Sequence, residues 1–136
     1  MLSKVYDVIY NRICIVPGYL PNVLEHPLLN KTKFDLILFI NVLQHLERKE
    51  DGVKVLAWMK DHTKRHGIYI VVAFTEGSGD HFKVLLKKNE LYNLYSEWKW
   101  DILLNKSGLI PKHVDLYHQE ALEHYYDIIV ARKPIL

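Results

Sequence analysis

The chain has 136 residues, enough for one domain with a core of its own and too few for two. Hydrophobic residues make up 49% and charged residues 25%, a balance that argues against disorder. Eighteen Lys+Arg against sixteen Asp+Glu leave +2, which reads as scattered solvated charge rather than a nucleic-acid surface.

In chain order, "MLSKVYDVIYNR" carries Lys4, Asp7 and Arg12 and so lacks the apolar stretch of a signal peptide. Its "KVYDVIYN" suits a short helix or a strand equally. The following "RICIV" is β-branched and predicts a strand, with the single cysteine, Cys14, as a buried small hydrophobe in a reducing compartment. "PGYLPNVLEHP" crowds three prolines and a glycine into eleven residues, which forbids a long regular element. No uncharged apolar run approaches bilayer length. A cytoplasmic protein that spans no membrane is expected.

"FDLILFIN" (Phe34–Asn41) is an unbroken apolar run after its Asp, the pattern of a strand buried on both faces. Residues 51–65 are helical in pattern, with Val53, Leu56, Ala57 and Lys60 on one stripe and Val55, Met59 and His62 beside it. Gly67 after "KRH" supplies the C-terminal stop. "IYIVVAFT" (Ile68–Thr75) is the second buried strand, completing a βαβ unit with a right-handed crossover. Asn89 is placed to cap a helix whose Leu91, Leu94, Tyr95 and Trp98 follow helical spacing. "KWDILLN" predicts a strand, "KSGLIPK" a turn, "HVDLYHQEALEH" a loosely helical stretch, and "YYDIIVARK" (Tyr125–Lys133) a last strand antiparallel to its predecessor.

Three patterns invite chemistry. His62 and His66 have the spacing of a helical metal pair, but no Glu follows His62 and His113, His118 and His124 are dispersed, so no metal site is expected. Gly77-Ser78-Gly79 after a strand imitates a dinucleotide loop, yet Phe82 stands where the third glycine belongs. A flexible loop is the better reading. Trp98, Trp100, Tyr92 and Tyr95 beside Lys87, Lys88 and Lys99 could stack bases, although such spacing is more often core.

Taken together, "FDLILFINVLQHL", "KRHGIYIVVAF", "NELYNLYSEWKWDIL" and "HYYDIIVARKP" resemble, in order, the fourth strand, fifth strand, helix-strand segment and last strand of class I S-adenosylmethionine-dependent methyltransferases, in their tellurite-resistance branch. The resemblance covers about residues 33–134. It implies an α/β fold: an incomplete Rossmann-like sheet, mostly parallel with an antiparallel C-terminal strand, lacking the usual first two strands. The chain would be one domain, 1–136, with an irregular N-terminal segment (1–32) and a conventional second half (33–136). By the family's pattern "RICIVPGYLPNVLEHPLL" resembles the third strand and its loop.

The family holds its cofactor against a Gly-rich loop and a ribose-binding carboxylate. Here no Gly-x-Gly precedes residue 77, Gly18 is the lone glycine ahead of Phe34, and Asp7 and Glu25 are the sole acids ahead of Asp35. The resemblance thus implies S-adenosylmethionine as cofactor, bound at Phe39, Ile40, Asn41 and His45, in a site incomplete within this chain. Asn41 serves equally as a turn-starting residue, whereas for His45 a surface or partly buried structural role is the better reading. Methyl transfer is a direct displacement, so catalytic residues stay unassigned, and the acceptor is a small molecule or a macromolecule. A sheet without its first strands leaves an apolar edge, from which a homodimer is expected. The competing role is a non-catalytic interaction module self-associating through that edge. Nucleic acid is the weakest partner candidate.

Overall fold

The structure, a computed structural model, describes residues 12–79, 81–114 and 121–135. Its four strands form one sheet in the order β1-β2-β4-β3: β1 (Phe34–Ile40), β2 (Thr63–Phe74), β3 (Asp101–Val114) and β4 (Ala121–Arg132). Helix α1 (Pro27–Asn30) precedes β1, α2 (Lys49–His62) connects β1 to β2, and α3 (Glu90–Glu97) follows β2. β1 and β2 are parallel, whereas β4 is antiparallel to both its neighbours. Three of these strands therefore share a direction and β4 opposes them, as the α/β reading anticipates.

The strand alternation divides the sheet into two unlike faces. Phe39, Tyr69, Val71, Ala73, Ile129 and Ala131 point to one side and form a single core with Val55, Leu56 and Met59 of α2 and Leu91 and Tyr95 of α3. On the opposite side Leu36, Leu38 and Ile40 are 51%, 57% and 46% exposed. Burial of "FDLILFIN" on both faces is therefore corrected. Both long helices lie on one side, and no described residue covers the central part of the other.

The covered stripe of α2 is also rotated from its expected position. Gly52, Val55, Leu56 and Met59 are buried, while Val53 is 50% exposed. Gly52 belongs to this stripe because a Cβ there would come within 3.3 Å of Leu43 Cδ1. On α3 the expected residues do face inward, Leu91 and Tyr95 fully and Leu94 and Trp98 in part.

The end of α2 needs no glycine. Thr63 Oγ1 donates to Met59 O at 2.6 Å, and Lys133 Nζ donates to Lys60 O and Thr63 O at 2.8 and 2.9 Å. A cation on the last carbonyls suits the negative end of the helix dipole. Burial, then the neighbouring Lys33, lower the pKa of Lys133. Gly67 lies inside β2, where a Cβ would meet Thr63 Cγ2 at 2.6 Å and Lys64 O at 2.7 Å, so close packing selects it. The chain bulges just before it, the register jumping from Phe34–Thr63 to Leu36–Ile68, with His66 at φ 62.

Two more expectations change. "KSGLIPK" is strand rather than turn, because Gly108 lies under the Tyr126 ring and Pro111 falls at a register shift in an edge strand, where proline is tolerated. β4 begins at Ala121, so the end of the loosely helical stretch is strand; residues 115–120 lie outside the described residues. At the other end, residues 12–19 join no strand, and Cys14 is exposed rather than buried. Its neighbours Ile13 and Ile15 are 58% and 81% exposed, and of "RICIV" Val16 alone is half-buried.

Candidate functional site

The carboxyl ends of parallel strands are where an open α/β sheet presents its ligand site. At that end of β1, Asn41 is exposed with φ 56, a left-handed conformation that Asn tolerates, and its N–H donates to Val72 O at 2.9 Å. This bond ties the end of β1 to β2 while the chain turns into the 3-10 turn Leu43–His45. Of the four sequence-derived residues, Ile40, Asn41 and His45 are exposed, with Ile40 on the uncovered face. Phe39, 3% exposed, points into the core beneath them.

His45 meets an aromatic cluster that the sequence did not announce. Its ring stands edge-on to Phe82 at 5.7 Å; Phe82 in turn stands edge-on to Phe74 at 5.2 Å and to His124 at 5.6 Å. Phe74 and His124 stack at 4.6 Å, and both are buried. The cluster closes the top of the otherwise bare face beside Ile40. Residues 45, 74, 82 and 124 come from four separate segments, so no local spacing could have revealed it. Gln44 next to it is 1% exposed, and neither polar atom of its amide has a partner among the described residues.

The Gly77-Ser78-Gly79 loop is pinned rather than open to a phosphate. Ser78 Oγ donates to Tyr125 O at 2.9 Å and accepts from Tyr125 N–H at 2.8 Å, and Thr75 N–H donates to the same carbonyl at 2.8 Å. Among the described residues no helix begins between this loop and Glu90, so the loop is not followed by the helix N-terminus that a dinucleotide loop requires. Asn89 precedes α3 at φ 66 without a side-chain cap; its N–H donates to buried Asp127 Oδ2 at 2.7 Å, and Ser107 Oγ donates to Oδ1 at 2.5 Å. A cavity of about 250 Å³ adjoins them, lined by Thr75, Lys88, Ser107, Leu109, Tyr125 and Asp127 among others.

Among the described residues no group of three His, Cys, Asp or Glu could hold a metal. His62 serves structure: it stacks on Trp58 at 3.9 Å, and its ring nitrogens lie 2.8 Å from Trp58 O and 3.0 Å from Asn30 O. Of the suspected base-stacking aromatics Tyr95 and Trp100 are buried and Trp98 is half-buried with Lys60 Nζ 4.8 Å above it, whereas Tyr92 is exposed. No helix among the described residues is long and apolar enough to cross a membrane.

Comparison with solved structures assigns the architecture to the S-adenosylmethionine-dependent methyltransferase fold. TehB from Haemophilus influenzae matches with a TM-score of 0.62 and 22% identity over 75% of this chain and 36% of its own. A SAM-dependent methyltransferase from Methanosarcina mazei matches at 0.58 and 12% identity, over 77% of this chain and 61% of its own. The N-methyltransferase NodS from Bradyrhizobium japonicum WM9 matches at 0.52 and 14% identity, over 76% and 52%. No protein-family model and no curated protein matches the sequence. The chain thus has part of a methyltransferase fold, spanning about a third to three fifths of these structures.

Proposed function

We propose that this chain is a methyltransferase-like protein carrying one wall of an S-adenosylmethionine site, and that the wall alone does not make a complete site. The observation that carries this reading is Asn41, left-handed and exposed at the carboxyl end of the parallel β1 in a methyltransferase sheet. Asn41 and His45 offer polar side chains to a ligand above the strand, Ile40 an apolar one, and Phe39 holds the backbone in place from the core.

The remainder of a cradle is lacking among the described residues. Gly18 is not an open approach for a ligand: a Cβ there would lie 2.7 Å from Val23 Cγ2, so the chain's own side chain fills that space. Glu25 sits in the 3-10 turn Asn22–Glu25, beside Lys54 and Trp58 of α2 rather than at a strand end. No methyl-transfer step is therefore assigned to this chain's residues. The acceptor, small molecule or macromolecule, stays open in this reading, and the compartment it fits is the cytoplasm, where exposed Cys14 stays reduced.

Titration of the labelled full chain with S-adenosylhomocysteine, followed by amide NMR shifts, tests the proposal. Shifts should concentrate at residues 40–45 with a Kd of about 1 mM, equivalent to about 4 kcal/mol, and vanish in the Asn41→Ala, His45→Ala double variant. A Kd of about 1 μM would refute incompleteness. No shifts at any concentration would refute the cofactor assignment.

A further inference from the structure

We propose that a second copy of this chain packs on the bare face of the sheet, the two sheets meeting face to face about a twofold axis. The strand registers place Leu38, Ile70, Val130 and Leu104 in one row across all four strands, and Ile40, Val72 and Ile128 in the next. Leu38, Ile40 and Leu104 are exposed, and the others are half-buried only by one another and their neighbours on that face. The apolar rows are bounded by polar groups: the row below ends in the Arg132–Asp101 ion pair at 2.8 Å, and Lys106 lies beside Ile128. An apolar centre within a polar rim is the anatomy of an interface.

Size and symmetry select the occupant. Summed over the exposed and half-exposed side chains, the patch is on the order of 500 Å², at the upper end of what monomers leave bare. Doubled across a twofold axis it reaches about 1,000 Å², the threshold for a specific association. The patch carries no charge of its own with which to recognise an oppositely charged partner, whereas an isologous contact needs only self-complementary apolar ridges. Two twisted sheets can supply these by packing about 10 Å apart and within about 30° of aligned. The open edge of β1 is the poorer contact, because the bulge between Phe34 and Leu36 and the Lys64–Asp35 pair at 3.2 Å blunt it. This contact requires neither cofactor nor acceptor.

Light scattering of the full chain at tens of micromolar should give twice the 16.1 kDa chain mass. The double variant Leu38→Lys, Leu104→Lys, at two exposed positions of that row that are not paired with each other, should be a folded monomer by circular dichroism, its association weakened at least about tenfold. In a Cys14→Ser background, oxidation should link copies through Ile70→Cys or Val130→Cys, and not through Asp35→Cys at the edge. A monomeric native chain overturns the proposal, as does a dimer that survives the double substitution. If the lysine variant does not fold, the cross-links decide: linkage at position 35 without linkage at 70 or 130 also overturns it.

Discussion

Adjacent residues of one strand live in different solvents. Phe39 is 3% exposed against α2 and α3, while Leu38 is 57% exposed on the other face of β1. Nothing in the run "FDLILFIN" separates them, since both are large and apolar. The difference comes from the connection: both long helices return on the same side, so the apolar residues of one parity gain a core and those of the other parity do not.

The largest expected effect follows directly. Phe39→Ala should cost about 3–5 kcal/mol, the sum of lost transfer energy and an unfilled cavity. Leu38→Ala should change stability by less than about 0.5 kcal/mol, as surface substitutions do. Urea unfolding at low micromolar concentration measures both, and comparable losses would erase the distinction between the faces. At tens of micromolar the Leu38→Ala cost should grow if a second copy covers that face.

A smaller effect probes β4 and β3 on the bare side, where Tyr126 lies over Gly108. A Cβ at Gly108 would fall 2.3 Å from the Tyr126 Cζ and hydroxyl oxygen, so Gly108→Ala should destabilise by about 1–3 kcal/mol through overpacking. Tyr126→Ala in the same chain should remove most of that penalty, giving strong non-additivity. Additive losses would mean that the ring moves aside without cost.

The same pair marks the boundary of what was legible. β1, β2 and α3 could be read because continuous apolar runs and helical spacing are local signals, and four motifs in order carried the fold. "KSGLIPK" was opaque: Gly108 and Pro111 read as a turn, and only the cross-strand Tyr126 and the edge position of β3 make them strand residues. Gly67 misled for a similar reason, since its close neighbours include Asp35 O, more than thirty positions away. Of the candidate site, Asn41 and His45 were proposed from the motif. Phe74, Phe82 and His124 were not, because their meeting is set by strand pairing and a loop rather than by spacing.

The smallest effect at neutral pH becomes measurable in alkali and concerns the covered face alone. Tyr69 is 1% exposed and its hydroxyl donates to Met59 Sδ, so burial raises its pKa well above 10. Below pH 10 the hydroxyl keeps its proton in both folded and unfolded chains, and its contribution to stability is constant. Above pH 10 the unfolded chain ionises this residue while the folded chain resists. Stability should then fall by about 1.4 kcal/mol per pH unit until the folded pKa is reached. Tyr69→Phe lacks the ionisation, so it should lose little near pH 8 and be the more stable protein relative to the native chain by pH 11. Urea midpoints of the two chains between pH 9 and 11 check the sign; parallel curves would mean that water reaches Tyr69 and that even the helix-covered face is not sealed.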